Sequence, residues 1–148
     1  AAGANLPGHV SQRQQDRIRA RLGKQTPIET LEMPAPSPGS MALVMAVFEQ
    51  GRGCYVGLGK KGKPAEQVAD EAVTGLEKYL SSDATVDEYL ADQLLLPMAF
   101  ASNPSEFHTV NVTQHLLTNA AVIEQFGQAT ITIEGSLGHP GRVRVVQH

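Results

Sequence analysis

Behind Pro64, the residues Ala65, Val68, Ala72, Leu76 and Leu80 recur at spacings of three and four, and this stripe constrains the first half of the chain more than any other feature. Residues so spaced share one face of an α-helix. Proline at the first helical position costs no hydrogen bond, because that N–H is unpaired in any case. A helix with one apolar face has to bury it against another element. The preceding residues offer one: Met41 to Glu49 and Cys54 to Leu58 are apolar, β-prone runs, and the Gln50-Gly51-Arg52-Gly53 break between them suggests a hairpin. Further upstream, His9 to Leu22 reads as a polar helix, with Val10, Ile18 and Leu22 at helical spacing and Gly23 as its stop. Lys24 to Met33 alternates like a strand, and Pro34-Ala-Pro-Ser-Pro-Gly39 is a loop. The first part therefore reads α-β-β-β-α, a small α+β layer.

After a short connection from Ser81 to Val86, a helix is expected from Asp87 to about Ala101 and a strand from Glu106 to Val112. Thr113 to Phe126 reads as a helix with Thr113 as its N-cap. Ala129 to Ser136 and Arg142 to Gln147 pair as a hairpin across Leu137-Gly-His-Pro-Gly141, so this part reads α-β-α-β-β. The 148 residues suffice for one ordinary domain or two small ones, and 41% hydrophobic with 18% charged residues marks a globular chain. The longest apolar run, Leu94 to Ala101, is interrupted by Pro97 and falls well short of the ~20 residues a membrane span needs. Cys54 is the single cysteine, which excludes an internal disulfide and a cysteine-built zinc site. With no basic-then-apolar leader in view, the expected setting is reducing and cytoplasmic. Because the first residue is Ala1 and not methionine, the N-terminus is expected to be processed or the chain to be part of something longer.

Charge is unevenly divided. Up to Asp83, ten Lys/Arg face nine Asp/Glu; from Ala84 onward, two arginines face six acids. A nucleic-acid binder normally carries a basic footprint, and the second part has the opposite balance. If the chain handles a nucleic acid, the arginines that grip its phosphates are expected to lie largely elsewhere.

One motif tempts and fails. Gly57-Leu-Gly-Lys-Lys-Gly62-Lys63-Pro64 nearly matches the phosphate-binding loop G-x-x-x-x-G-K-[ST], and it sits between a strand and a helix as that loop should. Its last position is Pro64, which supplies neither the hydroxyl for magnesium nor a backbone N–H. The expected reading is a glycine-rich turn with solvated lysines.

Chemistry concentrates in Asp87-Glu-Tyr-Leu-Ala-Asp-Gln-Leu-Leu-Leu-Pro-Met-Ala-Phe-Ala101, then Glu106-Phe107, then Gln114-His115-Leu-Leu-Thr-Asn119. On a helix, Tyr89, Asp92 and Gln93 put an aromatic ring, a carboxylate and an amide on one face. Leu90, Leu94 and Met98 form a neighbouring stripe that can face the core. Pro97 cannot donate to the Gln93 carbonyl, so a kink or local opening is expected one turn after the polar trio. His115 falls in the first turn of the next helix, where unpaired N–H groups and the positive dipole end favour an anion such as phosphate. That field disfavours imidazolium and favours a neutral, nucleophilic ring. On residue types alone two readings stand. One is a boundary tyrosine and a capping-region histidine without chemistry; the other is a phosphate-handling site. His9, His108, His139 and His148 are scattered and expected to be structural, and no acidic cluster suggests a dedicated metal cage.

The run EYLADQLLLPMA, then EF, then HLLTN, resembles the C-terminal signature of RNA 3′-terminal phosphate cyclases. More weakly, the helix beginning near Pro7-Gly8-His9-Val10 and the stretch from Val56-Gly57 through Lys63-Pro64-Ala65-Glu66 resemble the small domain inserted in that family. The resemblance implies ATP and a divalent metal, magnesium or manganese, as cofactors. It implies that His115 becomes covalently adenylylated and passes AMP to an RNA 3′-phosphate, whose neighbouring 2′-hydroxyl then closes a 2′,3′-cyclic phosphate. By the same matching, Tyr89 borders the adenine, Asp92 lies near the phosphates and the metal, and Gln93 bonds near the α-phosphate. Some relatives are non-catalytic ribosome-assembly factors lacking the histidine, and His115 argues for the catalytic branch.

The family's N-terminal region, with its glycine-rich segment and the arginines and acid that complete the nucleotide pocket, has no counterpart here. The chain is therefore expected to supply half a site. The expected fold is α+β: a small inserted domain over residues 1–83, then one βαβαββ-like repeat of the larger cyclase domain over 84–148. Expected partners are RNA 3′-phosphate ends, the missing N-terminal region and, through an uncovered apolar face, a second copy; no membrane is expected. The rival expectation is an RNA-binding or ribosome-assembly scaffold of the same fold without turnover. A truncated gene product with a stable fold and no activity is a third.

Overall fold

The computed structural model describes residues 1–148, which form two compact units. The first comprises Ala1–Ala46 and Cys54–Glu77, the second Val47–Gly53 and Lys78–His148. Helices and two sheets make the protein α+β, as expected. No helix is long and apolar enough to cross a membrane.

The chain begins with β1 (Ala2–Ala4), α1 (His9–Leu22) and β2 (Leu31–Glu32), followed by β3 (Gly39–Phe48), β4 (Gly51–Leu58) and α2 (Ala65–Leu80). The first sheet has the order β2-β1-β3-β4, with β1 parallel to β2 and antiparallel to β3. Ala42, Val44, Tyr55 and Gly57 point inward, while Leu43, Met45, Val56 and Leu58 alternate with them outward. On α2, Ala65, Val68, Ala69, Ala72, Val73 and Leu76 are buried. The apolar stripe drifts around the helix at its end, so Tyr79 is buried in place of Leu80, which is 48% exposed. Gly57 permits close packing: a Cβ there would strike the Val68 carbonyl of α2. The outer edges of α1 and α2 are joined by Arg13 to Glu66, Arg17 to Asp70, and Arg21 to Asp70 and Glu77. Lys63 bonds the Leu58 carbonyl and the Glu71 carboxylate, so the loop that mimics a phosphate cradle has its lysine engaged within its own turn.

Two expectations fail in this region. Lys24 to Met33 is not a strand, since only Leu31–Glu32 joins the sheet. Pro27 lacks an N–H, and β1, only three residues long, offers few partners. The Gln50-to-Gly53 break is also shorter than expected, because the chain turns at Glu49-Gln50 and Gly51 already belongs to β4. Gly51 and Gly53 are there for space. A Cβ on Gly51 would meet the Thr85 carbonyl, and one on Gly53 the ring of Tyr79.

The second unit continues through α3 (Glu88–Ala99), β5 (Ser105–Thr109), α4 (Gln114–Gln125), β6 (Ala129–Glu134) and β7 (Gly141–Gln147). Its sheet has the order β5-β7-β6 with both pairings antiparallel, setting Phe107 opposite Val143 and Ile131 opposite Val145. Val86 makes parallel bridges to Arg52 and Thr109, so a one-residue strand precedes α3 and the succession is βαβαββ-like. The core gathers Ala91, Leu95 and Ala99 of α3 with Leu116, Ala120 and Ile123 of α4 over Phe107, Ile131, Val143 and Val145.

Here too the structure corrects the expectation. Leu90, Leu94 and Met98 only flank this core, and the stripe that enters it is Ala91, Leu95 and Ala99. Nor is α3 opened at Pro97; it runs unbroken to Ala99. Pro97 lies so near the end of the helix that few turns remain to be disrupted. The strand expected to reach Val112 stops at Thr109, and Val112 bridges only to Leu137.

Candidate active site

Local chemistry sets both helix starts. Asp87 accepts the backbone N–H groups of Tyr89 and Leu90 at 2.8 and 2.7 Å, and Thr113 accepts that of Leu116 at 3.1 Å. Each side chain supplies a partner to N–H groups that the helix leaves unpaired. With Thr113 as cap, His115 stands exposed in the first turn of α4, where the sequence placed it.

On α3, Tyr89 is 60% exposed. Gln93 donates through Nε2 to the Tyr89 carbonyl at 2.8 Å, which ties its amide to its own helix. Asp92 is half-buried and receives the Asn119 Nδ2 of α4 at 3.5 Å. Asn119 follows His115 by one helical turn, so the two share a face of α4. Asp92 and Asn119 also stand in the wall of a groove of about 460 Å3, whose apolar lining includes Leu96, Phe100, Val122 and Phe126. Those four are between 46% and 73% exposed, a cluster of large apolar side chains on one surface.

The sequence had assigned no role to Asn119, although its i, i+4 spacing from His115 was visible there. The remaining histidines stand apart from this set. His108 approaches Glu106 at 4.0 Å, and the His148 ring lies 2.9 Å from the Thr130 hydroxyl. Arg142 hydrogen-bonds Glu106 at 2.8 Å on the β5–β7 pair, and that bond holds its guanidinium pKa above the ordinary value. No lysine or arginine lies between Lys78 and Arg142, so neither helix of the groove carries a cation.

No group of three or more His, Cys, Asp and Glu side chains is gathered to hold a metal ion. Asp92 offers a single carboxylate. Magnesium is commonly met by one or two carboxylates together with substrate phosphates. The donor set thus fits a cation delivered with a nucleotide and does not fit a resident metal cage.

The profile of the RNA 3′-terminal phosphate cyclase family matches residues 9–133. The chain belongs to this family. It is similar to the protein named RNA 3′-terminal phosphate cyclase from Thermococcus onnurineus, with 44% identity over 146 residues, covering 96% of this chain and 42% of that protein. Proteins of the same name from Nostoc punctiforme and Methylococcus capsulatus are 38% and 36% identical, over 90% and 98% of this chain and 39% and 41% of theirs. The chain therefore spans about two-fifths of the length of these relatives.

Proposed function

We propose that this chain provides the histidine nucleophile of an ATP-dependent RNA 3′-terminal phosphate cyclase. The observation that carries the reading is His115 itself: an exposed imidazole in the capped first turn of α4, in a chain of this family. A helix N-terminus favours phosphate through its unpaired N–H groups and dipole. An imidazole can split one difficult transfer into two easier ones.

In the first step, a ring nitrogen of His115 attacks the α-phosphorus of ATP, a P–N bond forms, and pyrophosphate leaves. An oxygen of the RNA 3′-phosphate then attacks the same phosphorus; the P–N bond breaks and His115 is regenerated. Finally the neighbouring 2′-hydroxyl attacks the 3′-phosphate, its proton passes to solvent, AMP leaves, and the 2′,3′-cyclic phosphate closes. In this scheme the ring of Tyr89 borders the adenine. Gln93, which gives one Nε2–H to the Tyr89 carbonyl, donates its second Nε2–H toward the α-phosphate. Asp92 would supply one protein oxygen to a magnesium or manganese ion brought by the nucleotide, which would offset phosphate charge.

The site is completed by protein that these 148 residues do not contain, an N-terminal region of the same polypeptide. The length of the relatives supports this, as do the apolar groove beside Asp92 and the acidic balance of the second part.

Labelling with ATP marked at the α-phosphate, in the presence of magnesium or manganese, tests the reading. The longest product of the gene should retain acid-labile label that His115→Ala abolishes, and the 148-residue chain should retain little. A full-length product that binds nucleotide or RNA yet takes no label would overturn the catalytic reading in favour of an RNA-binding or assembly scaffold.

A further inference from the structure

Asn119 and Asp92 meet across α3 and α4, from residues 27 apart in sequence. The contact contributes little to holding the helices together. Ala91, Leu95 and Ala99 already pack with Leu116, Ala120 and Ile123 in the core, whereas the 3.5 Å contact lies at the exposed edge. What it can set is direction: the amide engages one oxygen, Oδ2, of a carboxylate that lines the groove.

The choice of donor matters as much as its position. A lysine or arginine at residue 119 would orient the carboxylate and cancel its charge in the same contact. An amide orients it and leaves the charge intact, and no Lys or Arg lies between Lys78 and Arg142 to neutralise it otherwise. Since His115 lies one turn earlier on the same helix face, Asn119 also relates the carboxylate of α3 to the imidazole of α4.

We propose that Asn119 is a positioning residue, which orients the Asp92 carboxylate without neutralising it. The proposal rests on the reading of His115 as the nucleophile. Groups that orient a metal-contacting side chain typically change affinity or activity by about 10- to 100-fold when removed.

The test is a double-mutant cycle in the longest product of the gene, comparing the unaltered protein, Asn119→Ala, Asp92→Ala and the double variant. Three quantities are read: label uptake from α-labelled ATP across a magnesium and manganese titration, equilibrium binding of a non-hydrolysable ATP analogue at fixed metal, and the melting temperature. Asn119→Ala should melt like the unaltered protein, take up label about ten-fold more slowly, bind the analogue more weakly, and need more metal for half-maximal uptake. The double variant should be no worse than Asp92→Ala alone, because the two residues act as one. Asn119→Lys is the second variant; it should remain folded and lose uptake through charge cancellation. Label uptake and metal dependence unchanged in Asn119→Ala, or losses that add in the double variant, would overturn the positioning role while leaving the His115 reading intact. No label in the unaltered protein would overturn both.

Discussion

The Asp87 carboxylate accepts the backbone N–H of Leu90 at 2.7 Å while only 2% of the residue remains exposed. A second bond, from the Tyr89 N–H at 2.8 Å, makes the same side chain the anchor of the first turn that carries Tyr89 and leads to Asp92. Removing such a cap from a helix start costs about 1 to 2 kcal/mol. Asp87→Ala should lower stability by that amount in a denaturant titration. Asp87→Asn, which keeps an accepting oxygen, should recover most of it. Equal stability of the two variants would mean that the cap contributes nothing.

Gly57 separates a structural from a phosphate-binding reading of the glycine-rich turn. A Cβ there would strike the Val68 carbonyl, so Gly57→Ala should destabilise the first unit by about 1 to 3 kcal/mol through overpacking. Lys63→Gln should leave nucleotide binding unchanged, because Lys63 is bonded to the Leu58 carbonyl and to Glu71. A fall in ATP affinity for Lys63→Gln would restore the phosphate-loop reading.

Leu95 and Leu96 are adjacent on α3 and face opposite surroundings. Leu95 is fully buried, and Leu95→Ala should cost about 2 to 5 kcal/mol, as core truncations do. Leu96 is 57% exposed on the groove wall, so Leu96→Ala should stay within about 0.5 kcal/mol in the 148-residue chain. In a longer product whose further residues cover the groove, Leu96→Ala should cost appreciably more. Thermal melts of both lengths make the comparison, and an equal effect in each would count against the groove as the place where the rest of the polypeptide packs.

The ion pairs between α1 and α2 predict a pH dependence with a definite sign. The hydrogen bond from Arg13 holds Glu66 below its ordinary value of 4.5, and that from Arg17, reinforced by Arg21, holds Asp70 below 3.8. Carboxylates depressed in the folded state stabilise it fully above those ordinary values, and the contribution disappears as pH falls through the folded ones. These are exposed pairs, so the effect is modest. Arg17→Gln should lower the melting temperature slightly at pH 7, and the difference from the unaltered protein should shrink as pH falls below the ordinary 3.8 of Asp70 and vanish once the folded-state carboxylate is protonated. A difference that persisted in acid would show that Arg17 acts through packing.

The stop of α1 and the start of α4 were legible in the residues because capping is settled within a few positions of one chain. Gly23 stops α1, and Thr113 starts α4 by bonding Leu116 three residues on. The β6–β7 hairpin followed for the same reason, since its strands are neighbours in sequence. Where a strand needed a distant partner, the letters misled. β1 carried no signal in its three residues, and Gly51 and Gly53 read as a break until Thr85 and Tyr79 were seen pressed against them.

The same division runs through the candidate site. Sequence alone determined that a histidine would open α4 and that an aromatic ring, a carboxylate and an amide would stand on α3, because helical spacing and capping are local properties. Only the tertiary structure decided that Ala91, Leu95 and Ala99 enter the core and that Asn119 reaches Asp92. Helical period defines which residues share a face. Which face is buried, and which side chains meet across two helices, depends on the packing of elements far apart in the chain.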